Sequence, residues 1–234
     1  MKTTNKTGIT FLVRGEPGSG KTRFALGLGR VSQKRVAWFG RDRVFLFTPE
    51  DPALGGFVQK HDESSAAFDK ALGSLEKNPA RCGGVVVDTL TDLWHAEQRD
   101  FEIVAKTGAK VITPHGWRSL SEAHEARIRR LQKLPCHIVL IAEEKPVYEY
   151  VNDELREIGT REDTDKKDGY LADVRLRLFA AGGKFFAEVL KDRTGRFGAG
   201  YVLENPSLEL WTSRPARRAN KTRFGVGAAA GGAS

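Results

Sequence analysis

The chain has 234 residues, 40% of them hydrophobic and 29% charged, with a formal net charge of +8. That length suits one α/β domain with extensions and allows a core that is stable alone. No apolar run approaches a membrane span, and the opening MKTTNKTGIT has no signal-peptide core, so a cytoplasmic protein without a membrane partner is expected. Cys82 and Cys136 flank expected buried strands without a C-x-x-C spacing and read as small core residues rather than a disulfide or metal site. The histidines show no ligand spacing. A basic surplus favours a polyanionic partner, or equally a well-solvated surface, and charge alone does not separate the two.

In chain order, Ile9–Val13 is an apolar run with the character of a strand. It leads into Gly15–Thr22, GEPGSGKT, which satisfies G-x-x-x-x-G-K-[ST]. Glycines at 15, 18 and 20 let the backbone turn so that its N–H groups converge on one point. The positive end of the helix expected over Lys21–Arg30 lies behind them, making a seat for phosphate oxygens. Gly15, Glu16, Pro17, Gly18, Ser19, Gly20, Lys21, Thr22 and Arg23 are the candidate nucleotide-binding residues. Lys21 suits the β- and γ-phosphates, and Thr22 suits Mg²⁺ through its hydroxyl.

Arg35–Phe39 and Arg43–Phe47 follow as short strands, the second running into Thr48-Pro49-Glu50-Asp51-Pro52. Two prolines forbid helix there, placing Glu50 on a loop at a strand's C-terminal edge. A helix is expected over Ser65–Lys77. Val85-Val86-Val87-Asp88-Thr89 then reads as a fully buried parallel strand ending in a carboxylate, where ligands bind in open α/β sheets. Asp88 either serves the metal or caps the next helix, Leu90–Lys106; Thr89 is the other candidate cap. A fourth helix is expected over Trp117–Leu134, with Trp94 and Trp117 in the core, and Cys136–Ala142 as a further buried strand. Serial strand–helix units predict a mainly parallel sheet flanked by helices.

Beyond Lys145 the pattern becomes that of antiparallel β-hairpins: Pro146–Val151 with Glu154–Ile158, and Val174–Phe179 with Lys184–Leu190. Strands are expected around Tyr201–Leu203 and Leu208–Trp211. Gly159–Asp168 is charged and expected to be mobile; as a net acidic stretch it is ill suited to the arginine lid of a small-molecule kinase. Arg214–Ser234 carries five basic residues and no acidic one, offers no core positions and is expected to be a disordered tail, leaving residues 1–213 as the folded domain.

Together GEPGSGKT, VVVDT, the acid in TPED and the hairpin ending in KDRTG resemble the RecA-like P-loop ATPases. Within them the chain is similar to the short phage type linked to recombination and single-strand annealing, over roughly Gly8–Trp211. The resemblance implies a Mg²⁺-dependent ATPase acting on single-stranded DNA, in a host cytoplasm if phage-encoded. It implies a homo-oligomer with ATP at subunit interfaces. Lys21 would bind the phosphates, Asp88 would be the Walker B acid, and Glu50 would activate water, with Asp51 its rival. Lys191 and Arg193 would reach a neighbour's γ-phosphate; the alternative is an exposed basic turn. Many relatives carry a polar γ-phosphate sensor where this chain has Ala142-Glu143-Glu144, so no sensor is assigned. In the expected DNA-facing region Lys145, Tyr148, Tyr150, Arg156 and Arg161 are the contacts available, and the two tyrosines either stack bases or pack. An ATP-clamped assembly with little turnover and a nucleotide or nucleoside kinase are the rival readings.

Overall fold

Strands that are apolar at every position need cover on both faces, and the central sheet is built on that requirement. The computed structural model describes residues 8–32, 35–40, 57–60, 64–151 and 153–213. In chain order the principal elements are β1 (Thr10–Arg14), α1 (Lys21–Ser32), β2 (Val36–Gly40), β3 (Phe57–Lys60), α2 (Ser65–Lys77), β4 (Gly84–Asp88) and α3 (Leu90–Phe101). There follow β5 (Ile103–Val104), β6 (Lys110–Val111), α4 (Pro114–Leu131), β7 (His137–Ala142), β8 (Glu144–Val151), β9 (Glu154–Glu162) and α5 (Asp168–Leu171). β10 (Val174–Ala181), β11 (Lys184–Asp192), β12 (Val202–Glu204) and α6 (Glu209–Thr212) complete it.

Eight strands form one sheet in the order β12-β11-β10-β1-β7-β4-β2-β3. The pairs from β10 to β3 are parallel, and β11 and β12 are added antiparallel. Alternate residues of each central strand point to opposite faces. Phe11, Val13, Val86, Val139 and Ile141 meet Phe24 and Leu28 of α1 and Trp211 of α6 on one face. Leu12, Val85, Val87, Ile138 and Leu140 meet Phe68, Leu72, Leu93 and Ile128 of α2, α3 and α4 on the other.

The helix over Ser65–Lys77 has the expected bounds, capped by Ser64 accepting from the Ala67 amide at 3.1 Å. Elsewhere local chemistry shifts the boundaries. The helix from Leu90 stops at Phe101 rather than Lys106, because β-branched Ile103 and Val104 pair with Lys110 and Val111 across a turn at Gly108, where φ is +80°. The fourth long helix, α4, starts at Pro114 behind a Thr113 cap, not at Trp117, and Trp117 is 44% exposed instead of in the core. Trp94 is buried as expected.

The stretch 159–168, expected to be mobile, is part of the fold. β9 runs to Glu162, and Thr164 and Asp168 are buried. Leu208–Trp211, expected as strand, is a short helix from Glu209, whose Trp211 closes over Phe11 and Phe24. Cys82 and Cys136 are free and buried, with sulfurs 3.6 Å apart. No helix among the described residues is long and apolar enough to cross a membrane. The expected strand over Arg43–Phe47, Glu50, Asp51 and the tail from Arg214 lie outside the described residues.

Candidate functional site

β1 delivers the chain to the C-terminal edge of the sheet at Arg14, and residues 15–20 turn there before α1 begins at Lys21. The turn needs glycine for two reasons. Gly15 and Gly20 have φ of +154° and +93°, a region that side chains disfavour. A Cβ at Gly15 would also meet the Leu178 carbonyl oxygen at 2.2 Å, and one at Gly20 the Phe185 ring at 2.8 Å. The Lys21 ammonium donates to the carbonyls of Gly15 at 2.7 Å and Glu16 at 2.8 Å. Ser19 is 3% exposed and its hydroxyl oxygen has no hydrogen-bond partner among the described residues. Leaving such a group unpaired costs about 1–3 kcal/mol, which an anion in the loop would relieve. The residues present therefore fit a polyphosphate.

Thr22, in the first turn of α1, donates from its hydroxyl to Asp88 at 3.4 Å. Asp88 is the last residue of β4 and is buried. Thr89 caps α3 by accepting from the Asp92 amide at 3.0 Å. Of the two roles left open by the sequence, the structure assigns the cap. The cap is Thr89, and the Asp88 carboxylate faces the phosphate loop, where an oxygen pair suits a hard divalent cation. Burial lowers the pKa of Lys21, and the charges of Asp88, Glu143, Glu144 and Glu16 oppose that shift.

A second constellation, unforeseen in the sequence, stands beside the loop. Glu144 lies 3.5 Å from Arg14 and accepts from Arg177 at 3.1 Å, while Glu162 accepts from Arg175 at 2.7 Å. Arg14 also donates to the Thr160 carbonyl at 2.5 Å. These five charges fasten the base of the β8–β9 hairpin to the strand that feeds the phosphate loop. The alternation VRLRLF was the available signal: with Val174, Leu176 and Leu178 buried, its arginines necessarily share the opposite face.

Next to the N-terminal turn of α1 is a cavity of about 560 Å³, lined among others by Thr22, Arg23, Phe185, Asn205 and Glu209. The Arg23 guanidinium lies 5.2 Å from the centre of the Phe185 ring. On the hairpin, Tyr148 and Tyr150 are 53% and 74% exposed, so they do not pack into the core. Lys145 pairs with Asp163, Arg156 pairs with Glu154 at 2.7 Å, and Arg161 is half-buried on β9.

Lys191 and Arg193 are far from their own phosphate loop. β10 runs parallel to β1 with Val174 beside Phe11, and Asp192 of β11 pairs with Val174. The end of β11 is therefore at the edge of the sheet where β1 begins, and the loop lies at the edge where β1 ends. The Lys191 ammonium donates to the carbonyls of Gly169, Tyr170 and Ala172 at 2.7–3.0 Å, which makes it a tie within its own chain. Arg193 is exposed, and its guanidinium has no hydrogen bond or ion pair among the described residues.

The AAA domain family matches residues 7–178. No curated protein matches the chain. Among solved structures, the RadB recombinase is 20% identical with a TM-score of 0.56, over 85% of this chain and 87% of that one. A KaiC-like protein from the hyperthermophilic archaeon Pyrococcus horikoshii OT3 is 12% identical with a TM-score of 0.51, over 86% of this chain and 91% of that one. At these identities the likeness is one of fold: a mainly parallel sheet flanked by helices with antiparallel hairpins, as in RecA-like ATPases.

Proposed function

The chain belongs to the AAA domain family, and from that premise we propose that it is a Mg²⁺-dependent ATPase that assembles head to tail and acts on single-stranded DNA. The observation that carries the nucleotide part is the loop itself. Gly15 and Gly20 are held where no Cβ fits, and a buried Ser19 hydroxyl faces the loop without a partner among the described residues. In this reading the amides of residues 15–20 and Lys21 hold the phosphates, and Thr22 and Asp88 hold Mg²⁺. The bound ion would neutralise charge developing on the phosphoryl oxygens. Lys21 must release the Gly15 and Glu16 carbonyls to serve the substrate. The base and ribose would take the cavity beside Arg23 and Phe185.

Head-to-tail assembly is supported by the placement of Arg193 at the edge of the sheet opposite its own loop, exposed and without a side-chain partner among the described residues. A second copy stacked edge to edge receives it. Lys191, tied to three carbonyls, positions that turn and is less suited to a neighbour's phosphate. The exposed tyrosines of the β8–β9 hairpin, fastened to the phosphate loop through Arg14, support base stacking, and the basic tail would add phosphate contacts. The resemblance implies a water-activating role for Glu50, which lies outside the described residues, so its part is judged by the Glu50→Gln variant rather than by geometry.

The test is ATP hydrolysis titrated with single- and double-stranded DNA, with particle size followed in parallel. Turnover that rises with single strands and with particle size is expected. Binding of ATP without turnover favours the clamp, and phosphate transfer to a small acceptor favours a kinase.

A further inference from the structure

Glu143 and Glu144 are neighbours in the chain with opposite surroundings. The Glu144 side chain is buried between Arg14 and Arg177, and both arginines pair with the same carboxylate oxygen. Glu143 is exposed, and its carboxylate has no hydrogen bond or ion pair among the described residues. Its backbone is nevertheless held from both sides. The Glu143 amide donates to the Thr91 hydroxyl at 3.0 Å, and its carbonyl accepts from the Asp163 amide at 2.9 Å.

The register of the sheet says where this pinned acid stands. β7 lies between β1 and β4, with Ala142 beside Arg14 and Ile141 beside Asp88. One residue further, Glu143 leaves the sheet between the phosphate loop at Gly15 and the acid at the tip of β4. We propose that Glu143 is a catalytic carboxylate of this site, accepting a hydrogen bond from the attacking water and taking its proton; this rests on the ATPase reading given above.

In the step concerned, the water oxygen bonds to the γ-phosphorus as the bond from that phosphorus to the β–γ bridging oxygen breaks. The electron pair leaves on the bridging oxygen of ADP, and the water's proton passes to Glu143 and then to solvent. A carboxylate facing a polyphosphate is tolerated because the Lys21 ammonium shares the same edge, and the charge of Glu143 is among those felt at Lys21. Its exposure leaves it open to water. In the stretch Ala142-Glu143-Glu144, where many relatives carry a neutral polar sensor, Glu143 is an acid whose carboxylate has no partner among the described residues.

Glu143→Gln keeps the shape and removes the proton acceptor. Single-turnover hydrolysis, measured with single-stranded DNA present, is expected to fall by about 100-fold or more, as for loss of a general base. Affinity for Mg²⁺-ATP should stay within about threefold of the parent, since the group is proposed to act on water. Hydrolysis within threefold of the parent overturns the proposal, whatever Glu50→Gln does in the same assay. A loss of affinity matching the loss of rate also overturns it, because the carboxylate would then be holding metal or substrate. A parent protein that binds ATP but never hydrolyses it overturns the proposal and leaves the binding site standing. A parent that binds no nucleotide removes the ATPase reading itself.

Discussion

At Gly15 the backbone conformation and the neighbouring strand make the same demand. Its φ is +154°, and a methyl group there would be 2.2 Å from the carbonyl oxygen of Leu178 on β10. A clash with backbone cannot be relieved by turning a side chain, so either β10 or the loop has to move. Gly15→Ala is therefore expected to destabilise the fold by roughly 2–4 kcal/mol, combining backbone strain with overpacking, as read from urea unfolding midpoints. A change under about half a kcal/mol would mean that the loop has room the packing does not show. The same position illustrates what one-dimensional reading can reach. The requirement for glycine was legible from the spacing of GEPGSGKT, whereas the Leu178 carbonyl that enforces it comes from 163 positions along the chain.

At the scale of elements, α3, α4 and α5 are joined by a buried charge cluster that no sequence pattern announced. His124 of α4 is 1% exposed and lies 2.6 Å from Glu97 of α3 and 3.0 Å from Asp168 of α5. Arg127 backs the cluster at 3.1 Å from Glu97. Burial alone would depress the histidine's pKa, but the two carboxylates prevail and raise it to about 10. With the folded value above the unfolded one, the stabilisation is fully present below about pH 6.5. It is lost as pH rises through about 10, and by linkage it is worth a few kcal/mol. The urea midpoint of the parent protein should fall between pH 7 and 10. His124→Gln should be less stable at pH 7 and show a flatter dependence; parallel slopes would take His124 out of this role. The helical stripe Leu120, Ile128 and Leu131 was legible by period. That His124 sits on it as a cation was not, because its partners come from two other elements.

At the scale of the whole molecule, the sheet separates the two halves of the proposed reaction centre. The phosphate loop is at one edge and Arg193 at the other, so no single chain of this fold brings them together. Lys21→Ala removes the phosphate ligand from its own site but leaves Arg193 to offer a neighbour. Arg193→Ala does the converse. Each alone should lack activity, and mixing them should restore a measurable fraction of the parent ATPase rate in assemblies shown by size and labelling to contain both. Absence of recovery in such mixed assemblies would place Arg193 among ordinary surface residues. Lys191→Ala should instead lower stability, since its ammonium holds the Gly169, Tyr170 and Ala172 carbonyls.

The sequence by itself determined the parallel α/β architecture, the phosphate loop and the acid-tipped strand of Asp88. Each is a local pattern: unbroken β-branched runs, glycines at fixed offsets and helical periodicity act within a few residues of one another. It also gave the hairpins approximately, but not that 159–168 is pinned or that Leu208–Trp211 turns as a helix, because burial against distant elements overrode local preference there. Only the tertiary structure separated Glu143 from Glu144, gave the cap to Thr89, and sent Lys191 and Arg193 to the far edge of the sheet. Adjacent residues of one chemical type differ only in what the rest of the chain places beside them, and strand register decides that.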